Sequence, residues 1–273
     1  MISICIPTYN RAEQLDRLLN SIPDYNWIQI CVSNNASPDN TLEVIRKHNT
    51  LRQHKIKYFQ QIHNTGLNKN VVKSLTMADN QYCLAITDDD YFLTGALDAV
   101  KCEIENAPSM THFFSCITYY EKSNRCEISQ YKYYKNSDLT SAMAIFRAHI
   151  HSGVVFQKQV IAETLTHHRK QVEENIYVQY PFSAIAINSG NFRLHSMPIL
   201  VHTWENDTFW GANPRSEKVS KQYYQSFEYI KNNIVSTKAV NIELEKKIKQ
   251  NRNIIYRIIR KISRVLYFKT LEW

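Results

Sequence analysis

Three consecutive aspartates, Asp88, Asp89 and Asp90, follow an apolar run and are the residues of this chain best suited to chemistry. Carboxylates so close repel one another, and each is pushed towards protonation unless a cation or hydrogen-bond donors compensate. A hard divalent cation, Mn²⁺ or Mg²⁺, is a natural partner, held by one or two carboxylates together with substrate phosphates. The competing use is a solvated turn or a helix N-cap, where aspartate is equally at home. Which use applies depends on the elements that deliver the run.

Those elements alternate over the first hundred or so residues. Apolar runs at 2–7, 28–33, 55–59 and 82–87 read as strands. Between and after them, 11–22, a segment opened by Ser37-Pro38-Asp39-Asn40, 68–78 and 94–104 have helical spacing. This βαβαβαβα order implies an α/β fold with a doubly wound, mostly parallel sheet. Ligands of such sheets bind outside the carboxyl ends of the strands. Residues 8–11, 33–37 and 88–90 meet there, and this lifts metal binding above the turn reading. Beyond residue 106 the pattern is less regular: strands at 111–120, 153–156 and 198–204, a helix over 176–187 containing Pro181, and helix from 218 onward. The expected organisation is a domain over 1–215, with halves 1–106 and 107–215, followed by a C-terminal helical tail over 216–273.

Several classes are excluded. None of the five glycines has the spacing of a dinucleotide-binding turn or a P-loop. There is no G-x-S-x-G elbow and no H-E-x-x-H helix. The six cysteines form no C-x-x-C pair, and Cys5, Cys31 and Cys83 sit in apolar runs as small buried thiols. No basic leader precedes the first strand and no run is long enough to span a bilayer, so a cytoplasmic placement is expected. The net charge of +8 is localised: nine Lys/Arg and no acid lie between Lys246 and Lys269, leaving 24 basic against 25 acidic residues elsewhere. Ile255, Ile258, Ile259, Ile262, Val265 and Leu266 alternate with Arg257, Arg260, Lys261 and Arg264 at helical spacing. Such a helix lies on an anionic membrane surface or docks on the protein's own body. A nucleic-acid binder spreads its basic residues over the folded domain, so no nucleic-acid partner is expected.

Four segments, ISICIPTYNR (2–11), ICVSNNASPDNT (30–41), NTGLNKN (64–70) and ITDDD (86–90), together resemble the family 2 glycosyltransferases of GT-A fold. Within that family the chain is similar to the abequosyltransferase-type sugar transferases of O-antigen and capsule synthesis. The resemblance implies a metal-dependent transfer of a sugar from a nucleotide-diphosphate sugar to a glycan or glycolipid acceptor. It places Pro7, Thr8, Tyr9, Asn10 and Arg11 around the nucleotide, with Asn64, Gly66 and Asn70 from the third segment. Asn34 or Asn35 stands where the family carries an acid on the base; an amide both donates and accepts there. Asp88 is expected to face the ribose or donor sugar, and Asp90, with Asp89, to hold Mn²⁺ or Mg²⁺; His202 is a third candidate ligand. The resemblance puts the general base at Glu174 or Glu173, with His151 as a rival. A lipid-linked acceptor agrees with a tail lying on the inner face of the cytoplasmic membrane. Alternatives are a nucleotidyltransferase of similar topology, which the missing Gly-rich loop disfavours, and a non-catalytic basic-tailed binding module.

Overall fold

The computed structural model describes residues 1–106, 112–115, 118–122, 125–129, 152–174, 177–188, 192–195, 199–203, 217–236 and 238–252. The first half contains β1 (Ile2–Thr8), α1 (Ala12–Ser21), β2 (Ile28–Asn34), α2 (Thr41–Leu51), β3 (Lys57–Gln60), α3 (Leu67–Thr76) and β4 (Tyr82–Ala85). It continues with β5 (Tyr91–Phe92) and α4 (Ala96–Asn106). Strands β3, β2, β1 and β4 lie side by side and parallel, with Cys5 opposite Cys31 and Ile2 opposite both Ile28 and Tyr82. Beyond β4 the sheet continues through β9 (Val154–Gln157), which is antiparallel to its neighbours, then β6 (His112–Ser115) and β10 (Phe192–His195). The seven-stranded order is β10-β6-β9-β4-β1-β2-β3. A second, four-stranded sheet joins β5, β11 (Leu200–Thr203), β7 (Thr118–Lys122) and β8 (Arg125–Ser129) in that order. Four further helices complete the described residues: α5 (Lys158–Glu174), α6 (Gln179–Asn188), α7 (Glu217–Asn233) and α8 (Lys238–Arg252).

Strand β1 is buried on both faces, which is why it reads as one apolar run and not as an alternating one. Ile2, Ile4 and Ile6 pack with Leu15, Leu18 and Leu19 of α1, Ile45 of α2 and Val100 of α4. Cys5 faces the opposite layer, with Val71 and Leu75 of α3 and Ile161 of α5. Each such Leu or Ile contributes about 1.5–3 kcal/mol by leaving water. Cys5, Cys31 and Cys83 are free, buried thiols, as expected.

The structure departs from the sequence reading in specific places. Strand β4 stops at Ala85, because the Thr87 N–H turns to the Ser152 hydroxyl at 3.0 Å and leaves the ladder. Segment 111–120 is two strands in different sheets, not one. Pro181 is accommodated because α6 starts at Gln179, which places the proline in the first turn, where its missing N–H has no partner to lose. Helix α5 is an element the periodicity did not mark. The first helices of the expected tail belong to the body. Phe227, Ile230, Val240 and Leu244 are buried in the same core as Tyr180 and Phe182, so Tyr180 packs in the core, ring against ring with Phe227.

Helix α2 begins at Thr41 and not at Ser37, and Asp39, just before it, serves two helices. Its Oδ2 accepts from the Ala12 N–H at 2.8 Å, and its Oδ1 from the Thr41 N–H at 3.2 Å and the Thr41 hydroxyl at 2.6 Å. One carboxylate thus serves the N-termini of α1 and α2, where unpaired N–H groups and the helix dipoles favour negative charge. Replacing Asp39 by Ala is expected to cost about 1–2 kcal/mol, the upper range for a lost cap. Urea unfolding should show a lower midpoint with unchanged slope. An unchanged midpoint would contradict the shared-cap role.

Candidate active site

The loops that follow β1, β2 and β3 are fastened by three buried amides. Asn70, at the start of α3, donates to the Thr8 carbonyl at 3.2 Å and the Ser33 carbonyl at 3.0 Å, and accepts from the Ser33 hydroxyl at 2.7 Å. Asn35 donates to Asn64 Oδ1 at 2.8 Å and accepts from the Thr65 N–H at 2.8 Å. Asn34 Oδ1 accepts from the Ser37 N–H at 2.9 Å and hydroxyl at 2.6 Å, and its amide donates to the Tyr58 hydroxyl at 2.8 Å. The Ser37 hydroxyl also accepts from the Asn10 N–H at 2.9 Å, joining the first loop to the second. These bonds hold Asn10 and Ala36 at φ 54° and 61°, left-handed conformations that non-glycine residues rarely adopt. Gly66, at φ 86° and ψ 163°, occupies a region open only to glycine as it leads into α3.

Asn34, Asn35 and Asn70 therefore build the frame. Asn34 and Asn35, expected on the base, are buried and engaged with protein groups. Tyr9 is an exposed aromatic side chain of the β1 loop, whereas Thr8 is buried and Pro7 pairs with Ser33 within the sheet.

The acidic run divides into three roles. Asp88 is buried; its Oδ2 accepts from the Thr8 hydroxyl at 2.8 Å and its Oδ1 from Arg11 Nη1 at 3.3 Å. Burial pushes Asp88 up to about 7, against the pull of Arg11; the charge of Asp89 adds to the rise, and bonds from Thr8 and the Tyr9 N–H oppose it. Asp89 Oδ2 meets the same Arg11 nitrogen at 2.5 Å, and this side chain retains 17% exposure. Burial works against the Arg11 charge, but Asp88 and Asp89 outweigh it and raise the guanidinium above its ordinary value. Asp90, expected on the metal, is fully buried and turned into the fold: its Oδ2 accepts from the Thr87 hydroxyl at 2.9 Å and its Oδ1 from the Thr203 N–H at 3.0 Å.

Strand β11 is thereby docked onto the acidic run. The Thr203 hydroxyl donates to the Asp89 carbonyl at 2.5 Å, and Arg17 donates to the same carbonyl at 2.8 Å while its guanidinium lies over the Tyr91 ring. His202 lies on β11 next to Thr203, in register with Tyr120. Helix α5 leaves the amino end of β4, where the Lys158 N–H donates to the Gln81 carbonyl. It returns to the carboxyl edge at Glu173 and Glu174. There the Asn68 amide donates to the Glu173 carbonyl at 3.1 Å, Glu173 pairs with Arg169 at 3.2 Å, and Glu174 is exposed. The structure thus brings both expected acids to the same edge as the loops. His151 lies outside the described residues, as does the chain beyond residue 252.

Among the described residues no three His, Cys, Asp or Glu side chains form a ready metal cage. A hard divalent cation needs only one or two carboxylates when phosphates supply the other oxygens. Asp89 fits that requirement: it is partly exposed and lies at the carboxyl edge of the sheet. Thr203, Arg17 and Ser152 escaped the sequence reading, and Asp39 was legible only as part of a helix start. Arg17 and Thr203 are 186 residues apart, and no local pattern announces such a contact.

A profile of glycosyl transferase family 2 matches residues 3–155, more than half of the chain. The abequosyltransferase RfbV of Salmonella typhimurium is 36% identical over 110 residues, covering 39% of this chain and 33% of that protein. The GalNAc(5)-diNAcBac-PP-undecaprenol beta-1,3-glucosyltransferase of Campylobacter jejuni is 29% identical over 167 residues, 59% of this chain and 52% of that one. The chain therefore spans about a third to a half of the length of these relatives. Among solved structures, S. aureus TarS 1–349 in complex with UDP-GlcNAc superposes with a TM-score of 0.68 at 15% identity, covering 91% of this chain and 71% of that one. The mannosyltransferase PcManGT from Pyrobaculum calidifontis, in complex with GDP-Man and Mn²⁺, gives 0.62 at 13% identity, covering 90% and 68%. At such identities these likenesses establish the fold, the α/β GT-A type. The matched stretch contains all four loops gathered at the carboxyl edge of the sheet, and the chain belongs to glycosyl transferase family 2.

Proposed function

We propose that the chain is a metal-dependent glycosyltransferase that moves a sugar from a nucleotide-diphosphate sugar to a lipid-linked bacterial surface glycan. The observation that carries this reading is the pairing of Arg11 with the partly exposed Asp89 at the carboxyl edge, between the loops after β1 and β4. The nucleotide lies against the β1 loop, where Tyr9 offers an exposed ring for the base. Asp88, fixed by Thr8, faces the ribose or donor sugar. Asp89 holds the cation in place of Asp90, whose oxygens serve Thr87 and Thr203. When bound, Mn²⁺ or Mg²⁺ supplies Lewis-acid neutralisation of the charge that grows on the diphosphate. Glu174, exposed at the end of α5 while Glu173 pairs with Arg169, takes the proton of the acceptor hydroxyl. Such general-base catalysis typically contributes 10²–10⁴-fold.

The acceptor assignment draws on the relative named for a PP-undecaprenol glycan and on the basic run from Lys246 to Lys269. Val240 and Leu244 of α8 are buried against the body, whereas Lys246 and Lys249 are exposed. The run attaches the protein peripherally to the anionic inner face of the cytoplasmic membrane, at about 1 kcal/mol per cation near the surface.

Donor turnover with UDP- and GDP-sugars separates the assigned roles. Asp89→Asn and Glu174→Gln should each lower kcat by roughly 10²-fold or more, the second with donor binding intact. Asp90→Asn should instead lower the melting temperature. EDTA-insensitive turnover would contradict the metal role, and an active Glu174→Gln beside an inactive His151→Ala would move the base to His151.

Co-sedimentation tests the tail. The full chain should pellet with anionic but not neutral vesicles and be released at 1 M salt, where the Debye length is about 3 Å. A chain ending at Glu245 should stay in solution and melt at nearly the same temperature, since Val240 and Leu244 precede the cut. A full chain that ignores anionic vesicles at low salt would contradict the membrane role.

A further inference from the structure

The geometry points to Arg11 as a built-in counter-ion that exchanges with the metal: it holds the charge of Asp88 and Asp89 in the donor-free protein and turns to the donor's diphosphate when the cation occupies Asp89. This inference rests on the metal reading of Asp89 and adds an order of events to it. Arg11 Nη1 lies 2.5 Å from Asp89 Oδ2 and 3.3 Å from Asp88 Oδ1, so one nitrogen bridges the two carboxylates. The arrangement is built, not incidental. Asp88 is clamped by Thr8, Asp39 anchors the Ala12 N–H one residue beyond Arg11, and the Asn10 N–H is held by Ser37. The backbone of Arg11 itself opens α1, its carbonyl accepting from the Leu15 N–H at 2.9 Å. That backbone role is independent of the side chain, so the guanidinium can leave the carboxylates without disturbing the helix start. Arg11 keeps 20% side-chain exposure, which leaves it room to rotate.

Two consequences follow from electrostatics. A cation arriving on Asp89 meets a guanidinium of like charge on the same oxygen, so metal alone binds weakly until Arg11 departs. The diphosphate gives Arg11 a second anionic partner suited to its planar fork. Metal and nucleotide therefore favour each other's binding, and the coupling is reciprocal, commonly about 5- to 150-fold. Arg11 acts both against the metal and for the nucleotide, a pair of opposite signs that a purely structural residue does not produce.

The test measures Mn²⁺ binding to the full chain by electron paramagnetic resonance, without nucleotide, for wild type, Arg11→Gln, Arg11→Lys and Asp89→Asn. In parallel, calorimetry records UDP and GDP binding in saturating Mn²⁺. Arg11→Gln should bind Mn²⁺ alone about fivefold or more tighter than wild type. The same variant should bind the preferred nucleotide diphosphate more weakly. Arg11→Lys, which keeps the charge without the fork, should fall between the two and covers the case of a misfolded glutamine variant. If neither variant binds Mn²⁺ alone more tightly while Asp89→Asn abolishes binding, the exchange is overturned and the metal site stands. If Asp89→Asn binds Mn²⁺ as wild type does, the metal site itself is wrong and the exchange falls with it.

Discussion

Three carboxylates at the end of one buried strand must be compensated, and much of the site is arranged around how each is. Asp88 is desolvated and meets hydroxyl, backbone and guanidinium donors; Asp89 meets Arg11; Asp90 is consumed by Thr87 and Thr203. The same compensation joins the two sheets. Because Asp90 needs the Thr203 N–H, β11 is drawn to the acidic run, and with it the sheet that contains β5, β7 and β8. A cluster that would repel itself in isolation becomes the point where the elements meet.

The loops around it are held by amides, and one of them, Asn34 or Asn35, stands where the family resemblance leads one to expect an acid. An amide offers both donors and an acceptor, so Asn34, Asn35 and Asn70 each satisfy several backbone or hydroxyl groups at once. Buried polar groups of this kind stabilise only when satisfied, because each unpaired one costs about 1–3 kcal/mol. The network surrounds Asn10 and Ala36, both in left-handed conformations. It thereby fixes the β1 loop from which Tyr9 and Arg11 project.

The first half of the fold is legible in the sequence because its central strands β1 and β4 are buried along their whole length, and ISICIP or YCLA then reads as uninterrupted apolar chain. The positions of the site loops follow from that order, and so does their convergence. What individual residues do there is less legible, since it depends on long-range partners. Ser37-Pro38-Asp39 has the composition of a helix start, but Asp39 also serves Ala12 on another helix. Asp88, Asp89 and Asp90 look equivalent as letters and separate only when Arg11 and Thr203 arrive from distant segments. The basic run likewise reads as a tail, whereas the helices that lead into it owe their place to Phe227, Ile230 and Leu244 in the shared core.

The central claim is that the carboxyl edge binds a nucleotide-diphosphate sugar through a cation on Asp89. Melting temperature in the presence of UDP- and GDP-sugars, with Mn²⁺ and with EDTA, tests it most directly. A ligand at a hundred times its Kd stabilises the folded protein by about 2.7 kcal/mol. The account predicts that at least one donor raises the melting temperature with Mn²⁺, that EDTA removes the shift, and that Asp89→Asn loses it. A shift of equal size in EDTA or in Asp89→Asn, or no shift with any donor, would contradict it.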